Sequence, residues 1–229
     1  MCGIAGSLVW DKSNNEEYRN LNKVTSFLNH RGPNFSKVKK MKNIVLAHSR
    51  LAIIDLNNSA NQPMFDTSGK FCITYNGEIY NFLEIKKNLI RKGVYFKTNS
   101  DTEVILESYK MWNEKCLNFF EGMFAFAIWD IKKQKLFVAR DRIGEKPLFY
   151  YPYDGKTLNS GIIFSSEIRS LLKHPNVKFK ISNQGVWDFL SLNYILGNSS
   201  IVEGVRKLEP AHFMIIEKNY FSKKKYWHL

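Results

Sequence analysis

Short apolar runs alternate with polar stretches along the whole chain, and their period changes from strand-like to helix-like and back. Residues 4–10 (IAGSLVW) predict a strand. Tyr18, Leu21, Val24 and Leu28 stand at helical spacing within residues 16–29, ahead of a turn at His30-Arg31-Gly32-Pro33-Asn34. The run 44–56, IVLAHSRLAIIDL, predicts one or two buried strands, followed by a loop rich in asparagine and ending near Pro63. Residues 71–76 predict a strand and Phe82 to Lys92 a helix stopped by Gly93. Ser100-Asp101-Thr102-Glu103 has capping-box spacing and opens a helix through about Trp112. Strands are predicted at 124–130, 135–141, 147–151 and 162–167, with Asp154-Gly155 as a turn and a short helix near 166–172. After His174-Pro175 come one amphipathic helix (183–196) and two short strands within 205–217. Many strands, few helices and no regular alternation of the two predict an α+β layered fold rather than a doubly wound sheet.

Length and composition bound this picture. At 229 residues the chain is one large domain, or one domain with the start of another. A hydrophobic content of 44%, with 14% aromatics, suffices for a packed core and excludes global disorder. No apolar run reaches the roughly 18 residues that span a bilayer, and the first residues do not resemble a signal peptide. Cys2, Cys72 and Cys116 are scattered and odd in number, which points to reduced thiols in a cytoplasmic protein. The net charge of +13 suggests nucleic acid as a partner. Its distribution argues otherwise: the clusters at Lys37–Lys42, Lys86–Lys92, Lys132–Lys135 and Lys223–Lys225 read as solvated loops or helix faces without a nucleic-acid motif.

The candidate chemistry begins at Met1-Cys2-Gly3. Removal of Met1 would leave Cys2 with a thiol and a free α-amine on one residue, a nucleophile and a general base together. A cysteine at position 2 can also be an accident of translation. Arg50 interrupts the apolar run 44–56; it is either a strand-end arginine that reaches water or a clamp for a small-molecule carboxylate. Asn76-Gly77 is a strong hairpin signal. It could equally supply a side-chain amide and a backbone N–H to one oxyanion. Asp101, in the first turn of its helix, suits the helix dipole or a ligand ammonium. Taken together, the four features describe a site for an amino acid with a side-chain carbonyl.

The motifs MCGIAG, HRGPN, HSRLAIIDL, QPM (62–64), YNGEIYNF, SDTEVI, GMFAFAIWD, ARDRIGEKPLFY and FSSEI carry a resemblance. In this order, over residues 1–172, the chain resembles the N-terminal glutaminase domain of glutamine-hydrolysing asparagine synthetases, a class II glutamine amidotransferase of the Ntn-hydrolase type. The resemblance implies an αββα four-layer sandwich with two stacked antiparallel sheets. It implies Cys2 as nucleophile with its own α-amine as base, and Asn76 and Gly77 as oxyanion hole. It further implies Arg50 for the glutamine α-carboxylate, Asp101 for the α-ammonium, and Leu51, Ile53, Ile54 and Glu78 lining the pocket.

The implied reaction is hydrolysis of L-glutamine to glutamate and ammonia, with no metal or cofactor. ATP and magnesium would belong only to a synthetase (ATP-pyrophosphatase) domain. On this expectation residues 2–195 form the glutaminase domain and residues 196–229 a connector toward a synthetase domain absent from this chain. The implied partners are L-glutamine and a separate synthetase domain or subunit, with room for a homodimer, and neither nucleic acid nor membrane. Related enzymes amidate other acceptors, such as a polysaccharide sugar, with the same glutaminase half. A chain that keeps Met1 would be a silent scaffold. Asn34 departs from the family's usual aspartate, which leaves the geometry of that loop open.

Overall fold

The computed structural model describes residues 1–10 and 14–228. In chain order the elements are β1 (Gly3–Val9), α1 (Asn14–Ser26), β2 (Phe35–Met41), β3 (Ile44–Arg50), β4 (Met64–Phe65) and β5 (Phe71–Ile79). Then come α2 (Phe82–Arg91), α3 (Asp101–Trp112), β6 (Gly122–Asp130), β7 (Lys135–Arg140), β8 (Phe149–Pro152) and β9 (Gly161–Ser165). The last are α4 (Ile168–Leu171), α5 (Asn183–Leu192), β10 (Arg206–Lys207), β11 (His212–Glu217) and β12 (Tyr220–Lys225). Two six-stranded antiparallel sheets result, ordered β10-β8-β9-β1-β3-β2 and β12-β11-β7-β6-β5-β4.

Strand periodicity sorts the side chains into layers. Ile4, Leu8, Ile44 and Leu46 of the first sheet meet Cys72, Ala125, Ala127, Trp129 and Val138 of the second, forming the core between the sheets. Their neighbours face outward. Ala5, Val45 and Ala47 pack under Leu21, Val24 and Leu28 of α1. Ile73, Tyr75, Phe126, Ile128 and Phe137 pack under Ile85 and Leu89 of α2 and Val104, Ile105 and Tyr109 of α3. The order helix, sheet, sheet, helix is the expected αββα sandwich. Each sheet buries both faces, which is why strands such as GMFAFAIWD read as near-continuous apolar runs. The first sheet is tied to α1 by a buried carboxylate: Glu17 accepts hydrogen bonds from Ser7 Oγ (2.6 Å), Tyr153 Oη (2.6 Å) and His174 Nε2 (3.0 Å).

Several local expectations change. The run 44–56 is one strand, not two. β3 ends at Arg50 because its partner β2 begins opposite it, at Phe35. The chain then leaves the sheet, with Ile53, Ile54 and Leu56 exposed. The lysines of residues 37–40 and 223–225 stand on strands, the outermost of each sheet, rather than on loops. Ser100 does cap α3, accepting from Thr102 N at 3.1 Å. Glu103 does not close the box. It reaches further back, to the N–H groups of Lys97 and Thr98 and the Thr98 hydroxyl.

α5 stops at Leu192, where Asn193 turns left-handed at φ 61°. Within the stretch expected to be a connector, β10 pairs with β8, β11 with β7 and β12 with β11. Tyr226 packs on the α2/α3 side of the core and donates to Arg140 O at 2.9 Å. Trp227 lies under the Arg142 guanidinium, 5.7 Å from it. Leu229 lies outside the described residues. Among the described residues no helix is long and apolar enough to cross a membrane.

Candidate active site

The first strand delivers Cys2 to one end of the space between the sheets. Gly3 pairs with Ser49 of β3, and Ile4 exchanges hydrogen bonds with Ser166: its N–H donates to Ser166 Oγ (3.0 Å) and its carbonyl accepts from Ser166 N (2.9 Å). The Cys2 carbonyl accepts from Arg31 Nε at 2.9 Å, and Arg31 is ion-paired to Glu167 at 3.0 Å. HRGPN and FSSEI, far apart in sequence, therefore act as one clamp on the residue that carries the thiol. Gly32 is required for it. A Cβ there would lie 2.2 Å from Ser49 O, inside the space of the neighbouring strand.

The Cys2 sulfur sits 3.4 Å from Leu51 N and 3.6 Å from Leu51 O, within reach of the N–H as acceptor and of the carbonyl as donor. Burial pushes its thiol up. The Leu51 N–H, the chain's terminal ammonium and the Arg50 guanidinium pull against that, because each favours the thiolate. Asn34, the departure noted in the sequence, receives the Ala52 N–H on its side-chain carbonyl at 3.1 Å. That contact needs an acceptor and not a charge, so the loop beyond β3 is anchored by asparagine.

Asn76 and Gly77 lie inside β5, opposite Ala125 and Phe124 of β6. The hairpin alternative is thus excluded. Parity along β5 sends Thr74 and Asn76 between the sheets, where Thr74 Oγ1 bonds Ala47 O of β3 at 2.9 Å. The Asn76 side-chain nitrogen is buried there without a hydrogen-bond partner among the described residues. Gly77 admits the neighbouring strand; a Cβ would stand 2.2 Å from Met123 O.

Arg50 and Asp101 face the same cavity with charges that no opposite charge neutralises by direct contact among the described residues. Arg50 does not reach out to water; only 7% of it is exposed. Its guanidinium donates to Asn57 O (3.0 Å), Asn61 Oδ1 (2.6 Å) and Asp55 O. Three neutral acceptors orient the fork without cancelling its charge. Asp101 accepts from Tyr75 Oη (2.7 Å) and Ile79 N (3.2 Å), and burial raises its carboxyl above the usual range. His48, beside Arg50 in the same layer, donates from Nε2 to Tyr75 O (3.0 Å) and bridges the sheets. Its burial lowers it to about 3, so it stays neutral at physiological pH.

Cys2, Arg50, Leu51, Ile53, Ile54, Asn76, Gly77, Glu78 and Asp101 all line one cavity of about 120 Å³. One water needs about 10–15 Å³ on this measure, so a small organic molecule fits. Sequence reasoning gave no part to several other residues. Gln62 substitutes for a missing sheet partner: its Oε1 accepts from Tyr75 N (2.6 Å) and its Nε2 donates to Thr102 Oγ1 (3.1 Å). Tyr75 and Asn61 position Asp101 and Arg50, and Lys146 also lines the cavity. The signal was present in QPM, YNGEIYNF and GEKP, but a motif does not say which of its side chains point inward.

Residues 1–227 match the sequence pattern of the glutamine amidotransferase domain. The chain belongs to that family. As such a domain it is homologous to asparagine synthetases. Over an alignment of 232 positions that takes in the whole chain it is 36% identical to asparagine synthetase [glutamine-hydrolyzing] 3 of Bacillus subtilis, covering 37% of that protein. It is 36% identical over 252 residues to the putative asparagine synthetase [glutamine-hydrolyzing] 2 of Methanocaldococcus jannaschii, covering 47% of it. The amidotransferase domain therefore spans less than half the length of these curated relatives. Its fold also matches the glutamine phosphoribosylpyrophosphate amidotransferase of B. subtilis in a complex with ADP and GMP, with a TM-score of 0.66 at 18% identity. That match covers 98% of this chain and 49% of the other.

Proposed function

We propose that this amidotransferase domain hydrolyses L-glutamine to L-glutamate and ammonia, through a thioester on Cys2. The observation that carries the reading is the buried, unpartnered Asn76 amide in the cavity that also holds the Cys2 sulfur. A desolvated donor with no partner is costly in the resting protein. It is useful where an oxyanion develops.

Removal of Met1 frees the Cys2 α-amine. That amine takes the thiol proton as sulfur attacks the carboxamide carbon. Asn76 Nδ2–H and Gly77 N–H then donate to the tetrahedral oxyanion. The amine returns the proton to the leaving nitrogen, the C–N bond breaks and ammonia departs. Water, deprotonated by the same amine, attacks the thioester carbon. Breaking of the C–S bond restores the thiol and releases glutamate. Arg50 suits the substrate α-carboxylate and Asp101 its α-ammonium; Leu51, Ile53, Ile54 and Glu78 would enclose the side chain. Both half-reactions use only groups of the chain and water.

The relatives support asparagine synthesis as the use of the ammonia, on a synthetase portion that would bring its own ATP and magnesium. The free, buried thiols of Cys72 and Cys116 fit a cytoplasmic setting. A chain that keeps Met1 lacks the base, and on this reading is silent. The test is intact mass and ammonia release on one sample, with Cys2→Ala as control. Ammonia from the chain that has lost Met1, absent in the control, supports the reading. A control with full turnover overturns it, as does a mature chain that releases none even with a synthetase partner.

A further inference from the structure

Among the described residues, Lys146 is a buried cation without a partner of opposite charge. Its exposure is 6%, it lines the cavity of Cys2, and among the described residues its ammonium touches only the Met1 sulfur, at 3.5 Å. A thioether is a weak acceptor, and a lone buried charge is expensive. The backbone holds the side chain there. Asp141 receives the N–H groups of Gly144 (2.6 Å), Glu145 (2.9 Å) and Lys146 (3.0 Å), and Arg140 donates to Lys146 O (2.7 Å) and Gly144 O (2.5 Å).

Arg31 approaches the same sulfur, at 3.8 Å, but its charge is already met by Glu167. The other ionisable groups around the cavity are differently engaged. Arg50 and Asp101 both line the space assigned to substrate. Asp55 is occupied by the N–H groups of Asn57 and Asn99, and Glu167 by Arg31, His30 and Arg169. Glu145 is exposed, and the Asp141 carboxylate is taken up by backbone donors, including Phe124 N. Glu78 lines the cavity and opposes Lys146 in sign.

We propose that Lys146 keeps the Cys2 α-amine unprotonated at neutral pH once Met1 is removed, and so sets the pH range in which the site works. The inference rests on the hydrolytic reading, which needs that amine as a free base. Lys146 acts by like-charge repulsion: a fixed positive charge beside the amine disfavours the ammonium form. The covalent reach of one methionine keeps the two nitrogens within about 10 Å of each other. At the effective dielectric of a partly buried site this displaces the amine titration downward by about one pH unit. Lys146 is a tuning residue; it need not touch substrate.

The test is ¹⁵N NMR titration of the α-amine in the mature full chain labelled with ¹⁵N-cysteine, beside the pH profile of kcat/KM. In Lys146→Met the amine midpoint and the acid limb of the profile both move up by about one unit, and Lys146→Arg restores them. Lys146→Gln gives the same reading should the methionine variant fail to fold. An amine midpoint unchanged within about 0.3 unit in a folded variant overturns the proposal. If the midpoint moves but no variant or parent releases ammonia, the hydrolytic reading falls and the effect of Lys146 on the amine stands.

Discussion

Replacing Asn76 by leucine separates the oxyanion-hole assignment from a structural role. Among the described residues the Asn76 amide nitrogen has no hydrogen-bond partner, so the substitution breaks no bond of that nitrogen there. It removes an unpartnered buried donor, whose desolvation typically costs about 1–3 kcal/mol. Leucine has as many side-chain heavy atoms as asparagine and branches at the same carbon, though its methyl groups are bulkier. Repacking it between the sheets costs about 1 kcal/mol, in the range of volume-conserving swaps. The two changes nearly cancel or leave a small gain. For a chain of this size each kcal/mol is worth about 2–4 °C in Tm, so the melting temperature should hold or rise slightly. Turnover should behave in the opposite way. Losing one of two donors to the oxyanion costs about 10²–10³ in kcat. KM should change little, because the contact forms only in the transition state. The assay is ammonia and glutamate release against pH on protein whose loss of Met1 is verified by mass, alongside a thermal melt. A kcat within tenfold of the parent, or a melt lowered by more than about 8 °C, would overturn the assignment of Asn76 to the oxyanion hole.

Glu17 is held down to about 2 against an ordinary 4.5. Its stabilisation is therefore full above pH 4.5 and lost as pH falls toward 2; Glu17→Gln should remove that acid limb from thermal melts and cost about 2–3 kcal/mol at pH 7. Asn34→Asp keeps the acceptor for Ala52 N and should retain activity within threefold, whereas Asn34→Ala frees the loop carrying Ile53 and Ile54 and should raise KM for glutamine about tenfold. Gly77→Ala forces a Cβ against Met123 O and should cost about 1–3 kcal/mol by parting β5 from β6, read by urea denaturation.

The layered fold was legible because each buried strand is a dense apolar run and each helix carries a spaced one. Three strands were missed, β2, β4 and β12, the first and last of them for one reason. FSKVKKM and YFSKKK are edge strands that bury little on either face, so their composition records solvent more than structure. The run 44–56 misled in the opposite direction. Its second half is apolar because it borders a cavity, not because it lies in a sheet. The ends of the site were legible in Cys2, Arg50 and Asp101, whose chemistry is conspicuous among apolar or helix-forming neighbours. Asn76-Gly77 was ambiguous because local turn preference and an inward-facing strand position select the same dipeptide. Only the nine-residue partnership with β6 separates them. The supporting residues, Gln62, Tyr75, Arg31 and Glu167, act through contacts between distant segments, which no local pattern encodes.

The lysine-bearing outer strands have a consequence for how copies of this protein meet. β2 and β12 each leave one side of their backbone unpaired, the condition under which a strand from another molecule can add to a sheet. An incoming copy of either edge would have to align its own Lys37, Lys39 and Lys40, or Lys223, Lys224 and Lys225, against an identical row. Part of the +13 charge is thus a fence around exposed main chain, and like-charged rows oppose fibrous self-association. Such a fence is only as tall as the Debye length, about 8 Å at physiological ionic strength and 3 Å in 1 M salt. Dilute buffer protects these edges, and concentrated salt lowers the barrier over which neighbouring sheets can join.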